Sequence, residues 1–556
     1  MNHGSRATVV FGMSWDHPKK GRVARAILAF MVALSFLPWI RAAPSTAGRL
    51  MSVIVRELPG SGSTAERVVE SLGGSVGRPL GIIHGFVAML PAGGLATVAR
   101  LPGVHSVTLD GRVELLDDDD DGWSGSSGSG SAFTVAPYTT RASSFWSRGY
   151  NGRGIDVAVI DSGVVPVEGL RSPRKVVNGA DLSFESQVPH LRYLDTYGHG
   201  THMAGLIAGR DVGMAPGARL LSLKVADANG ATDVSQVIAA IDWVVEHRRD
   251  NGMNIRVLNL AFGTDGVQDY RLDPLTYAAE VAWRKGIAVV VSAGNRSYGS
   301  PQLNNPAYDP YVIAVGAADD RGTRWSSDDR VPSFSSCGND GRHVDLVAPG
   351  KSVVSLRVRG STIDRESPGA RLAGRFFKGT GTSQAAAVVS GAAALLLDQR
   401  PSLTPDQVKA LLTSSARPIK DGQTACEGAG ILDMSDALTR PTPAAVQSFP
   451  PATGTGSLEA ARGSVHLVHD GVQLRGEQDI FGASWDGLAW AARCASEASW
   501  VGGDWNGNTW TDASWSGMSW SGMSWGGMSW SGMSWSGMSW GGMSWGGMAW
   551  GGLSWS

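Results

Sequence analysis

Residues 154–163 read GIDVAVIDSG, and the run Ile155–Ile160 is apolar apart from Asp156. A β-branched run without polar alternation suits a strand covered on both faces, the habit of parallel sheets flanked by helices. Similar runs return at 256–262 (RVLNLAF), 287–295 (IAVVVSAGN) and 311–317 (YVIAVGA). Between them lie helical stretches, DVSQVIAAIDWVVEHRRD at 233–250 and LTYAAEVAWRKG at 275–286. Strands alternating with helices from 138 to 438 predict an α/β domain, doubly wound around a mostly parallel sheet. That length buries a large core.

Outward from this domain the chain changes character. Residues 51–115 carry strand-like MSVIVREL and GFVAML, helical STAERVVESLGG and GGLATVARLPG, and a last strand VHSVTLDG. With a strand near 75–83 the order becomes β-α-β-β-α-β, a small ferredoxin-like α+β domain over 50–115. Residues 116–137 form a linker: Asp117–Asp121 is a run of like charges, followed by GWSGSSGSGSA. Carboxylates suit calcium, but this run lacks the spacing of a calcium loop, so a structural calcium ion is unsupported. At the N-terminus, Lys19, Lys20, Arg22 and Arg25 precede apolar Ala26–Ile40 and small Ala42-Ala43. That order predicts a signal peptide over 1–43 and a secreted protein.

Charge narrows the partners. Lys plus Arg number 48 against 50 Asp plus Glu, a net charge of −2 that offers no excess to neutralise nucleic-acid phosphates. With 42% hydrophobic residues the chain is also no disordered polyelectrolyte.

Three polar loops interrupt the central domain. Asp161 ends the quoted strand, where active sites of open α/β sheets collect. His199 and His202 lie in YGHGTHMAG, and Ser383 lies in GTGTSQAAAVVSGAAALLL. The helix after Ser383 would turn free N–H groups and its positive dipole end toward developing negative charge. An acid, an imidazole and a hydroxyl suggest nucleophilic acyl transfer. Singly, each has a plainer reading: turn former, structural or metal-binding histidine, helix cap.

Taken together, VAVIDSG, HGTHMAG and GTSQAAA resemble the motifs of the subtilisin-type serine peptidases, the subtilase family, in the order Asp…His…Ser. GMAPGA at 213–218, LKV at 223–225, VVSAGN, VIAVGA and DLVAPG at 345–350 extend the resemblance across 138–438. It implies that Ser383 is the nucleophile, His199 the general base and Asp161 its orienting acid, with Asn295 and the Ser383 N–H forming the oxyanion hole. It implies a substrate cleft between Ala261-Phe262-Gly263 and Ser292-Ala293-Gly294, read by β-augmentation. His202 falls on the second His of the motif and is structural. Gln384 and Ala387 depart from the family's usual Met and Pro without touching the acid–base chemistry. The chemistry needs no cofactor or metal.

The same resemblance makes 50–115 an inhibitor-type propeptide, an intramolecular partner removed on activation. The protein expected is a secreted serine endopeptidase acting on protein or peptide substrates. A surface-binding protein on the same scaffold is the alternative, and the intact Asp161, His199, Ser383 and Asn295 argue against it.

Three cysteines remain. Export permits a disulfide, and Cys337 with Cys426 share the catalytic domain, leaving Cys494 free or intermolecular. Residues 439–499 read as linker and ambiguous sequence. Fourteen of the 21 Trp fall between Trp485 and Trp555, mostly five apart, and the segment 500–556 reads as a Trp/Gly/Met/Ser pentapeptide tail. A five-residue period suits neither an amphipathic helix nor one face of a single long strand. The tail is expected to be disordered, with attachment to the cell envelope through its indoles as its functional reading.

Overall fold

A computed structural model describes residues 50–509, except 59–60, 81–84, 110–134, 267, 299, 301, 324–326, 340, 373, 420–423 and 470–471. The expected signal peptide, the acidic and Gly/Ser linker up to 134, and tail residues 510–556 lie outside the described residues.

The chain divides into two units, split between Leu116 and Asp117. In the first, β1 (Leu50–Glu57), β2 (Ser75–Leu80), β3 (Gly85–Pro91) and β4 (Val104–Leu109) pair in the order β2-β3-β1-β4. Every pairing is antiparallel. With α1 (Thr64–Ser71) and α2 (Leu95–Ala99), this is the β-α-β-β-α-β order of ferredoxin-like folds. Alternate residues Val53 and Val55 of β1, and Phe86, Ala88 and Leu90 of β3, are buried together with Val69 and Val98. One face of the sheet therefore carries the core, as period-2 patterning requires.

The second unit is built on a seven-stranded sheet. Its strands are β5 (Asp156–Asp161), β6 (Val176–Asp181), β7 (Arg219–Lys224), β8 (Ile255–Leu260), β9 (Ala288–Ser292), β10 (Ile313–Ala318) and β11 (Leu346–Pro349). They run β11-β10-β9-β8-β5-β7-β6, every pair parallel. Every residue of β5, β9, β10 and β11 is buried, which explains why their sequences show no polar alternation. From β5 the chain crosses to the edge strand β6, returns to β7 beside β5, and then passes β5 to β8 and beyond on the other side. The order thus reverses beside β5, and Asp161 is its last residue, at the carboxyl end where ligands of such sheets bind.

Two helix pairs pack within the body: α3 (His199–Ala208) on α6 (Thr382–Gln399), and α4 (Val234–Glu246) on α5 (Pro274–Arg284). Asp233 caps α4, where a reciprocal bond from Gln236 completes a capping box, and Asp273 caps α5 ahead of Pro274. Cys337 and Cys426 form a disulfide.

Two readings of the C-terminal region need correction. Residues 439–499 are not a loose linker. A strap is pinned to the α/β body at Gln447, whose N–H donates to Asp406 (3.0 Å), and at Phe449, whose carbonyl accepts from the Tyr311 hydroxyl (2.6 Å). Then α7 (Leu458–Arg462), α8 (Gly487–Ala495) and a small sheet of β12 (Trp500–Val501), β13 (Asp504–Trp505) and β14 (Asn508–Thr509) pack onto the body. Residues 500–509 are therefore part of the folded unit rather than of the repeat tail.

The cause is tryptophan burial. Trp490 and Trp505 are fully buried, and both indole N–H groups donate to the Asp242 carboxylate of α4, at 3.0 and 2.9 Å. Burying an aromatic side chain of this kind contributes on the order of 1.5–3 kcal/mol. Cys494 is buried in the same cluster, and burial together with nearby Asp242 pushes its thiol well up. Of the two alternatives for Cys494, the structure shows the free, buried thiol.

Candidate active site

Asp161 is nearly buried, and its Oδ1 accepts from the Ser162 N–H at 2.8 Å. His199 opens α3, and its Nδ1 lies 2.9 and 3.0 Å from the two Asp161 oxygens. Nδ1 donates to that carboxylate, which leaves Nε2 as the basic nitrogen on a ring that is 23% exposed. The close approach depends on Gly200, where a Cβ would sit 2.1 Å from the Gly163 carbonyl oxygen and 3.2 Å from Asp161. Burial alone would lower the His199 pKa; the Asp161 charge and hydrogen bond outweigh it, and the pKa is raised.

A second carboxylate braces this pair, and sequence reasoning missed it. Asp195 is buried and accepts from Ser162 Oγ (2.7 Å), Gly198 N (2.6 Å) and Thr201 N (2.7 Å). It holds the entry to α3 while Ser162 Oγ also reaches Asp161. The available signal was an Asp four residues before His199, a cap-forming type ahead of a helix.

His202 behaves as expected of a structural residue. Burial and the neighbouring His199 push its pKa down to about 4, and neutral Nε2–H donates to the Phe377 carbonyl at 3.2 Å.

Ser383 is the second residue of α6, a position whose N–H has no intrahelical acceptor. Its hydroxyl donates to the Ala261 carbonyl at 2.8 Å. Among the described residues no hydrogen bond joins it to His199, a looseness common in unliganded sites.

Asn295 lies across from it. Its Oδ1 accepts from both the N–H (2.9 Å) and the Oγ1 (3.0 Å) of Thr382, which fixes the amide so that Nδ2 is the free donor. Thr382 Oγ1 in turn accepts from Gly294 N at 3.1 Å, tying the end of β9 to the start of α6. Thr382 is a second residue that sequence reasoning passed over.

Ala261-Phe262-Gly263 follows β8, and Ser292-Ala293-Gly294 ends β9, on the same edge of the sheet as Asp161. Ser292 Oγ lies 3.5 Å from the Phe262 carbonyl oxygen, and Asn304 N donates to Ala293 O at 3.0 Å. The site is thus an imidazole oriented by a carboxylate, a serine at a helix N-terminus, an oriented amide and two facing backbone segments.

The subtilase family model matches residues 152–447, more than half of the chain. This chain belongs to the subtilase family. Serine protease AprX of Bacillus subtilis is 36% identical over 300 residues, covering 52% of this subtilase and 66% of AprX, just under two thirds of that relative's length. Subtilisin DY of Bacillus licheniformis is 31% identical over 304 residues, covering 53% of this chain and 95% of that one. A cold adapted subtilisin-like serine proteinase of known crystal structure shares 31% identity, covers 51% of this chain and 90% of its own, and gives a TM-score of 0.41.

In this subtilase the two segments face each other across Asn304. A Cβ on Gly263 would lie 2.6 Å from Asn304 Cβ, and one on Gly294 2.6 Å from Asn304 Oδ1. That Oδ1 is buried and has no partner among the described residues. Glycine at both positions leaves room for the amide between them, a feature that no local sequence signal announced.

Proposed function

We propose that this subtilase is an exported endopeptidase that cleaves protein substrates through an acyl-enzyme on Ser383. The observation that carries the reading is His199 Nδ1 held by both oxygens of Asp161, at the carboxyl end of the strand where the sheet order reverses. An extended substrate would lie along Ala261–Gly263 with the side chain before the scissile bond between that segment and Ser292–Gly294. Ser383 Oγ attacks the carbonyl carbon as His199 Nε2 takes its proton. The resulting oxyanion accepts from Asn295 Nδ2 and the Ser383 N–H. His199 then protonates the leaving amine, and water repeats the sequence to release the acid.

Activation by removal of the 50–115 unit, with that unit as an inhibitor in cis, is part of the same proposal. Its support is the ferredoxin-like fold together with the motif resemblance. Export rests on the basic, apolar and small-residue order at 19–43, and retention at the cell envelope on the Trp-rich repeat. Among the described residues no helix is long and apolar enough to cross a membrane.

The test is Ser383→Ala beside wild type, assayed for casein hydrolysis and for loss of the N-terminal unit. Wild type is expected to do both and the variant neither. Normal processing and hydrolysis by the variant would remove Ser383 from the mechanism.

A further inference from the structure

Eleven residues beyond the end of the family match, α7 places a carbonyl oxygen behind the specificity pocket. The anchor is Arg462, fully buried, and all five of its N–H donors are used. Nε (2.7 Å) and Nη2 (3.3 Å) take the two oxygens of Asp233; Nη1 donates to Gly476 O (2.7 Å) and Glu459 Oε2 (3.2 Å), and Nη2 also to Gln478 O (2.5 Å). Asp233 is the N-cap of α4, so this fork fixes α7 to a helix of the α/β body.

The residue before the anchor does the reaching. Ala461 O accepts from Thr264 Oγ1 at 2.5 Å and from Asn305 Nδ2 at 3.2 Å. Thr264 directly follows Gly263, and Asn305 directly follows Asn304, the side chain between the two pocket glycines. Thr264 and Asn305 also exchange both backbone hydrogen bonds, at 3.1 and 2.9 Å. Two residues on, Ser464 N donates to Asp265 Oδ1 at 2.6 Å, and Gly463 has no room for a Cβ, which would fall 2.3 Å from the same oxygen. Four consecutive residues, 461–464, thus grip the residues that follow one pocket wall, the residue that follows Asn304 between the walls, and one capped helix.

We propose that residues 461–464 buttress the specificity pocket of this subtilase, with Arg462 and Thr264 as positioning residues that hold Gly263 and Asn304 at their observed spacing. The inference rests on the reading of Ala261–Gly263 and Ser292–Gly294 as the walls of that pocket. Neither positioning residue touches the reacting atoms. Loosening them widens the space for the substrate side chain and leaves proton transfer at His199 alone.

The experiment uses the full chain and a series of peptidyl p-nitroanilides that differ only in the residue before the scissile bond: Ala, Leu, Phe and Gln. Thr264→Val keeps shape and removes the bond to Ala461; Arg462→Met removes the anchor and Arg462→Lys keeps the charge without the fork. One buried hydrogen bond lost corresponds to about 3–10-fold in KM for the preferred substrate. The expected result is that rise, a matching flattening of kcat/KM across the series, an unchanged acid limb in the pH profile, and partial recovery in Arg462→Lys. Should Arg462→Met fail to fold, Thr264→Val carries the test alone. A folded Thr264→Val with wild-type discrimination overturns the buttress, as does a uniform loss of kcat at unchanged KM. Wild-type hydrolysis that survives Ser383→Ala overturns the site assignment itself and the buttress with it.

Discussion

His199 stands between two opposed influences: burial favours the neutral imidazole and Asp161 the charged one, and Asp161 prevails. Since the base works unprotonated, kcat/KM should rise with pH through a midpoint above the ordinary 6.5 of a histidine. Asp161→Asn removes the main charge opposing burial and leaves only Asp195 against it, so residual activity should titrate at a lower midpoint than wild type. It also frees Nδ1 from its acceptor and permits the wrong tautomer, a loss of about 10⁴-fold in kcat. A pH–rate profile of both proteins checks the two statements together. Asn295→Leu removes the side-chain donor to the oxyanion without charge change, and kcat should fall about 10²–10³-fold with KM little altered. Because Thr382 aims that amide by two hydrogen bonds, Thr382→Val should give a smaller loss of the same kind, again in kcat. Equal effects on KM would show that Asn295 serves ground-state binding instead.

Among elements, the legible ones announced themselves by periodicity. β5, β8, β9 and β10 are mostly apolar and lack polar alternation because helices cover both sides, and α4 and α5 carry Asp caps that mark where they begin. The motif residues at Asp161, His199, Asn295 and Ser383 were legible because each sits at a strand end or helix start, where local sequence and position coincide. Asp195, Thr382 and Asn304 were not legible: their roles depend on neighbours far off in the chain, with Thr382 meeting Asn295 across 87 residues. The C-terminal elements were hidden for another reason. Trp490 and Trp505 share the five-residue spacing of the tail, and spacing alone does not reveal that their indoles close on Asp242. Asp479 belongs to this region and yields a stability prediction. Burial raises its pKa to about 7, with Asp233 nearby adding to the rise and Arg462 opposing it. The folded state therefore holds the proton more tightly than the unfolded chain, in which an aspartate titrates near 3.8. Its contribution is fully present below about 4 and is lost as pH rises through about 7. Asp479→Asn should flatten the fall in melting temperature over that window, and equal slopes in the two proteins would contradict it.

For the molecule as a whole, the family match ends at residue 447 and the described fold at 509, and the difference decides where the chain can be cut. Leu458, Ala461, Leu474, Ile480, Trp490 and Trp505 are all fully buried, in one continuous core with the sheet. Ending the chain at Arg440 uncovers Asp242 on α4 without its two indole donors and Asp233 without Arg462. Uncovering the aromatic partners alone removes on the order of 1.5–3 kcal/mol for each buried side chain. For Trp490 and Trp505 together that is about 3–6 kcal/mol, a large share of the 5–15 kcal/mol that typically separates folded from unfolded domains. A chain ending at Arg440 should therefore melt far lower than wild type, or be recovered only as aggregate. A chain ending at Thr509 keeps every one of these contacts and should match wild type in melting temperature and in hydrolysis of a soluble peptide. Comparing the three by thermal denaturation separates two roles that composition alone runs together. The expected division is that Trp485, Trp490, Trp500 and Trp505 act in folding, while removal of Trp510 onward leaves a soluble assay unchanged. If the Thr509 chain is as unstable as the Arg440 chain, that division fails. If it is stable, active and lost from the cell-associated fraction, the repeat is the attachment segment.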